Sequence, residues 1–297
     1  MKPAEFEERE YEGPLYNQLE RGQAMLWHPG QVLEGRIGFD RALMVQELEV
    51  WRAIGLSRVP SGAVLGRYLW PPWWGPGNLR RPLPNFKLNL FLQAKRSHFS
   101  SRAPRAASKM GLKGETWAFF LDAKQQLLLE CLSDKTQRRA HVAYAAPVFH
   151  EQSDLYWHTR KRTIVKNSTF PSAKCLSGHK AWYYQQEGSV GVANPNPELI
   201  EEASLMDRLR YLVEEDRDRS EPDDLPLESL DERVQAVVGD EQLRESFQRA
   251  RYFDELQEID RLADQFDLQP TARAYLRVST FAEIFDLTWF VVSAESR

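Results

Sequence analysis

Residues 90–97 read LFLQAKRS, an apolar run that ends in an amide, a small residue and two cations. A run this short, bounded by polar residues, has the pattern of a buried strand, expected here over 89–95. Gln93 and Lys95 stand two apart, so on a strand both side chains leave the same face. An oxygen ligand and an ammonium then project into one cleft. The second informative stretch is GFD at 38–40, where Asp40 opens an apolar run expected to be a strand over 39–48. A carboxylate and an amide carbonyl are both hard oxygen donors suited to Mg2+ or Mn2+. A cation held by Asp40 and Gln93 could polarise a phosphate and acidify a bound water. Lys95 beside it could neutralise charge that develops on the phosphate.

Outward from this pair, residues 4–21 place Phe6, Tyr11, Leu15 and Leu19 at helical spacing, with Gly13-Pro14 as an expected kink and Gly22 as a stop. A strand is expected over 31–35. Residues 51–84 hold WPPWWGPG and RRPLP, too rich in Pro and Gly for a regular element, and read as an insertion between two strands. Beyond Lys95, a helix is expected over 100–111. Strands follow over 116–121, 127–132 and 141–149, with DAKQ at 122–125 as a hairpin turn between the first two. A helix carrying Arg160, Lys161, Arg162 and Lys166 is expected over 155–166. Asn194-Pro195-Asn196-Pro197 breaks the chain and marks a domain boundary. From there the pattern is helical over 199–215, 241–266 and 270–290, with an acidic linker at 219–227.

The chain of 297 residues carries a net charge of −4, with 42% hydrophobic residues, enough for one large domain or two smaller ones. The charge is unevenly distributed. Residues 195–297 hold 26 acids against 12 bases, a balance of −14, while residues 1–194 balance at +10 and hold every lysine. A basic first part of this kind is suited to a polyanion, and its acidic counterpart is not. No run of eighteen apolar residues occurs, so no membrane partner is expected. The polar start MKPAEFEERE is unlike a secretory signal, and two cysteines, Cys131 and Cys175, make no disulfide framework; a cytoplasmic setting is the expectation.

The strings GFD and QAKR, behind a Glu-bearing first helix, resemble the PD-(D/E)xK nuclease superfamily. The likeness is to the branch with Gln in the acidic position, as in Mrr-type restriction enzymes. It spans residues 5–150 and implies a restriction-endonuclease-like α/β core, a mixed central sheet flanked by helices, with a metal site of Asp40 and Gln93 and with Lys95 assisting. The family's helix-borne glutamate would be Glu12 or Glu20, with Glu20 nearer the helix end; Glu34 is a third candidate ligand. Two departures stand out: Phe39 replaces the motif's proline, and the insertion at 51–84 lengthens the gap between Asp40 and Gln93. Residues 142–170 are similar to the middle of several defence-associated nucleases, which favours action against phage or foreign DNA.

Other chemistries fit less well. Asp122-Ala-Lys124 also has DxK form but reads as the start of a turn. Cys175 and His179 lack the second ligand pair that structural zinc needs. His141, Asn167 and His179 do not have the spacing of a compact His-Asn-His finger. No phosphate-binding glycine loop or serine-nucleophile elbow is present.

The expectation is therefore a nuclease domain over 1–194 joined to an acidic all-helical domain over 195–297 that regulates, forms a homo-oligomer or docks a partner protein. Arg80, Arg81, Arg96, Arg102, Arg105 and Lys109 would bind DNA phosphates, with RNA not excluded. Trp70, Trp73 and Trp74 would pack as a flap or stack on bases. The alternative is a catalytically silent nucleic-acid-binding or assembly subunit of a defence complex.

Overall fold

Leu88–Ala94 forms strand β3, and every one of its residues is buried, so both faces of its sheet are covered. The computed structural model describes residues 1–22, 26–27, 87–185, 190–217, 226–243, 247–265 and 270–292. The expected strands over 31–35 and 39–48 and the insertion at 51–84 lie outside these residues.

The sheet around β3 has five strands. Ala140–Pro147 (β6) runs parallel to β3, and Ser168–Thr169 (β7) pairs with β6. On the other side of β3 runs Thr288–Val292 (β11), antiparallel, with Leu26–Trp27 (β2) beyond it. The indole of Trp289 donates to Asn89 Oδ1 at 2.8 Å, a buried bond between β11 and β3. One face of β3, with Leu88, Leu90 and Leu92, packs against helix α1 (Glu8–Gly22). Tyr11, Leu15 and Leu19 repeat every four residues along α1 and are buried there. Leu15 and Leu19 each contribute roughly 1.5–3 kcal/mol by leaving water. On the other face, Phe91 meets Phe281 edge-on, with ring centres 6.4 Å apart, and stacks on Trp289.

The chain leaves β3 at Ala94 and after three residues enters a second, six-stranded antiparallel sheet at His98–Ser100 (β4). Its order is Lys2–Pro3 (β1), β4, Thr116–Phe120 (β5), Ala181–Tyr184 (β8), Val190–Asn194 (β9) and Glu198–Glu201 (β10). Helix α2 (Arg105–Lys109) follows β4, α3 (Ala123–Thr136) follows β5, and α4 (Gln152–Lys161) follows β6. The later helices are α5 (Leu205–Arg217), α6 (Pro226–Val238), α7 (Phe247–Gln265) and α8 (Pro270–Ile284). None of the described helices is long and apolar enough to cross a membrane.

A mixed α/β fold is what the elements add up to, and several expectations are corrected. Residues 122–125 form no hairpin turn, and 127–132 form no strand. Asp122 caps α3 by accepting from Lys124 N and Gln125 N at 3.0 and 2.9 Å. Leu128, Leu129 and Leu132 then take the helical spacing that buries one face. The first helix runs through Pro14 as one element. The expected helix over 199–215 begins as strand β10, and that over 270–290 ends at Ile284. Thr288, Trp289, Phe290, Val291 and Val292 are β-branched or aromatic and form β11.

The C-terminal part is consequently neither all-helical nor a separate domain. Residues 1–27 and 85–297 make one compact unit. Asn194–Pro197 joins β9 to β10 as a hairpin turn, with Asn196 left-handed at φ 58°. The division expected at 194/195 is thus a turn within the six-stranded sheet.

Candidate active site at the end of β3

Four elements converge on the C-terminal end of β3. Gln93 is fully buried on the strand, and Lys95 sits just past it, with its backbone N–H bonded to Ala145 O of β6 at 2.8 Å. Gln93 Nε2 donates to Ala94 O at 3.1 Å and lies 3.5 Å from Asp286 Oδ2. Gln125, in the first turn of α3, bridges the two motif residues. Its Nε2 donates to Gln93 Oε1 at 2.6 Å, and its Oε1 accepts from Lys95 Nζ. Lys95 Nζ also lies 5.9 Å from the ring centre of Tyr144, whose hydroxyl donates to Gln126 Oε1 at 2.7 Å.

Asp286 is exposed and lies in the turn between α8 and β11. That turn is a Schellman motif. Leu287 N bonds to Ala282 O at 2.7 Å, and Asp286 N bonds to Glu283 O at 3.2 Å. Asp286 occupies the left-handed position, φ 57°, where glycine is the unstrained choice. Aspartate is among the few side chains that visit this region, at a local cost that glycine avoids.

Helix α1 brings the remaining acids. Glu8 Oε1 accepts from Arg96 N at 3.1 Å, which holds this carboxylate at the residue after Lys95. Glu12 and Tyr16 follow at four-residue spacing on α1. The Tyr16 phenol is pushed up by burial, then by the charges of Glu12 and Asp286, while a hydrogen bond with Thr288 opposes this. Burial likewise pushes the Lys95 ammonium below the ordinary lysine range, against the opposing pull of Glu8, Asp286 and Asp122.

Gln93 and Lys95 thus share a partner, Gln125. Asp40, Glu34, Arg80 and Arg81, with Trp70, Trp73 and Trp74, lie outside the described residues. Glu20 falls within α1, but its side chain is not among those described. Arg96 does not offer a free guanidinium: Nε donates to Ala4 O at 3.1 Å, and one terminal nitrogen pairs with Glu7 at 2.9 Å. Arg102, Arg105 and Lys109 are exposed around α2. The sequence reading missed Asp286, Glu8 and Gln125. One signal for Asp286 was present: Phe285-Asp286 precedes an apolar run just as Phe39-Asp40 does.

Among the described residues, no three His, Cys, Asp or Glu side chains lie close enough together to hold a metal ion by themselves. Gln93 and Asp286 each carry a hard oxygen donor of the kind that suits Mg2+, but the Gln93 amide nitrogen, not its carbonyl, faces Asp286, and the carbonyl accepts from Gln125. No family model, no curated protein and no solved structure matches this chain.

Proposed function

We propose that this chain is a metal-dependent endonuclease that cleaves phosphodiester bonds of DNA, with its site at the end of β3. The observation that supports this reading is the meeting of Asp286 with Gln93, 193 residues apart in sequence, where the charge of Asp286 also acts on Lys95. When bound, Mg2+ or Mn2+ supplies an acidified water and a counter-charge for the phosphate. Asp286 and Glu8 provide the carboxylates, and Gln93 adds a carbonyl once Gln125 gives way. Lys95 holds a proton at Nζ and offers its charge to a phosphate oxygen in a partly desolvated setting, where that charge acts most strongly. A role against phage or foreign DNA belongs to the same reading, supported by the resemblance of residues 142–170 to defence-associated nucleases.

Plasmid nicking in Mg2+ by the wild type, Asp286→Ala, Lys95→Ala and Asp40→Ala tests the reading. Loss of nicking in the first two variants supports it. Nicking that survives Asp286→Ala but not Asp40→Ala moves the cation to Asp40. A silent, DNA-binding subunit is the second reading, favoured by Gln125 already occupying Gln93 Oε1 and Lys95 Nζ. DNA binding with no cleavage in Mg2+ or Mn2+ selects it.

A further inference from the structure

Away from the β3 end, a cleft of about 990 Å³ opens between the six-stranded sheet, the end of β6 and α4. It falls in the range of small-molecule clefts, roughly 300–1,000 Å³. Its walls are aromatic: Phe99 and His150 stack with centres 3.9 Å apart and planes 7° from parallel, and Trp117 lies 5.6 Å from Phe99. Trp117 is only 9% exposed, yet its indole Nε1 is buried without an acceptor. A buried donor of this kind costs free energy until something accepts from it. Glu115 and Asp154 add carboxylates to the lining, which holds no lysine or arginine among the described residues.

These features select a ligand. Parallel and tilted rings favour a flat aromatic guest. Carboxylates without cations exclude a phosphate from the interior and favour a guest that presents N–H donors. A nucleobase with an exocyclic amino group has both properties. Immediately outside, α4 carries the complementary surface for a backbone: Tyr156 and Trp157 are exposed, and Lys161 Nζ lies 4.9 Å from the Trp157 ring centre, with Arg160 and Arg162 exposed beside it.

We propose that this cleft binds an amino-bearing nucleobase, stacked on the outer face of the Phe99–His150 pair, with its sugar-phosphate lying along α4. The base comes either from a strand of nucleic acid, extruded from its stack, or from a free nucleoside. The first source rests on the nuclease reading; the second does not. Ser97, two residues beyond Lys95, donates to Phe149 O at 2.9 Å, beside His150.

The test uses the full chain in EDTA, so that binding is read whether or not the protein cleaves DNA. Calorimetry with guanosine, adenosine, cytidine and thymidine is paired with fluorescence anisotropy of a short duplex, fully matched or carrying one unpaired guanine. His150→Ala removes half of the stack. Leu199→Trp places a bulky ring at the rim, at a position 42% exposed where the fold is not at risk. Saturable binding of the amino-bearing nucleosides over thymidine, weakened about tenfold by each variant, supports the pocket with a free nucleoside as ligand. Tighter binding of the unpaired-guanine duplex, lost in both variants, supports an extruded base. Absence of both nucleoside binding and duplex preference overturns the proposal. Binding equal in the wild type and both variants overturns it as well.

Discussion

Gln93 Nε2 lies 3.5 Å from Asp286 Oδ2, although the amide belongs to β3 and the carboxylate to the turn that launches β11. The pairing of Thr288 with Leu92 in the β11–β3 ladder sets this proximity, since it carries the preceding turn alongside the end of β3. The candidate site therefore depends on the C-terminal strand as much as on the QAK stretch.

Asp286 sits where a Schellman turn accepts glycine without strain. Asp286→Gly should stabilise the fold by about 0.5–1 kcal/mol while abolishing cation binding and cleavage. Urea unfolding and Mn2+ titration of the same variant check both halves. A variant that is destabilised, or that still binds Mn2+, removes Asp286 from the site.

Lys95 is held below the usual lysine range, chiefly by burial. Between that lowered value and the ordinary value of about 10.4, the unfolded chain keeps a proton that the folded chain releases. Stability then rises with pH across this window. Lys95→Met should accordingly be more stable than the wild type at pH 7, with a gap that narrows as pH approaches 10. Denaturation curves at the two pH values measure the gap.

Asp122 caps α3 through two backbone N–H groups and also positions Gln125. Asp122→Ala should cost about 1 kcal/mol yet leave Mn2+ affinity within a few-fold of wild type. A complete loss of cation binding would instead make Asp122 a ligand.

His141 is buried, and desolvation pushes its imidazole down to about 4, with Arg208 adding to the effect. The folded state thus excludes a proton that the unfolded chain accepts below its ordinary value of about 6.5. Stability is present above that value and is lost as pH falls towards 4, by about 2 kcal/mol at pH 5. His141→Leu should flatten this part of the profile in chemical unfolding measured at pH 7 and pH 5.

Gly191 on β9 faces the indole of Trp182 so closely that an added methyl would overlap the ring and the Tyr183 carbonyl. Trp182 is buried and tied to Thr169 Oγ1 at 3.2 Å, so it cannot step aside freely. Gly191→Ala should cost roughly 1–3 kcal/mol, seen as a lower Tm with unchanged secondary structure at low temperature.

The sequence alone determined the local elements of this protein. Tyr11, Leu15 and Leu19 announce α1 by their spacing, and the apolar run before Gln93 announces β3. The alternation at 93 and 95 places both polar side chains at one strand end. Local signals also misled where two structures compete for the same residues. LLLECL satisfies a strand by composition, but the Asp122 cap and the 128-129-132 spacing make it a helix; TWFVV looks like the tail of a helix until the Schellman turn stops it. Tertiary structure alone decided which carboxylate meets Gln93. Backbone hydrogen bonds between strands carry no record of sequence distance, and several apolar runs could in principle pair with β3. The choice of β11 rests on burial of Phe290 and Val292 against α1 and of Trp289 against Asn89 and Phe91, a fit that exists only once the chain is packed.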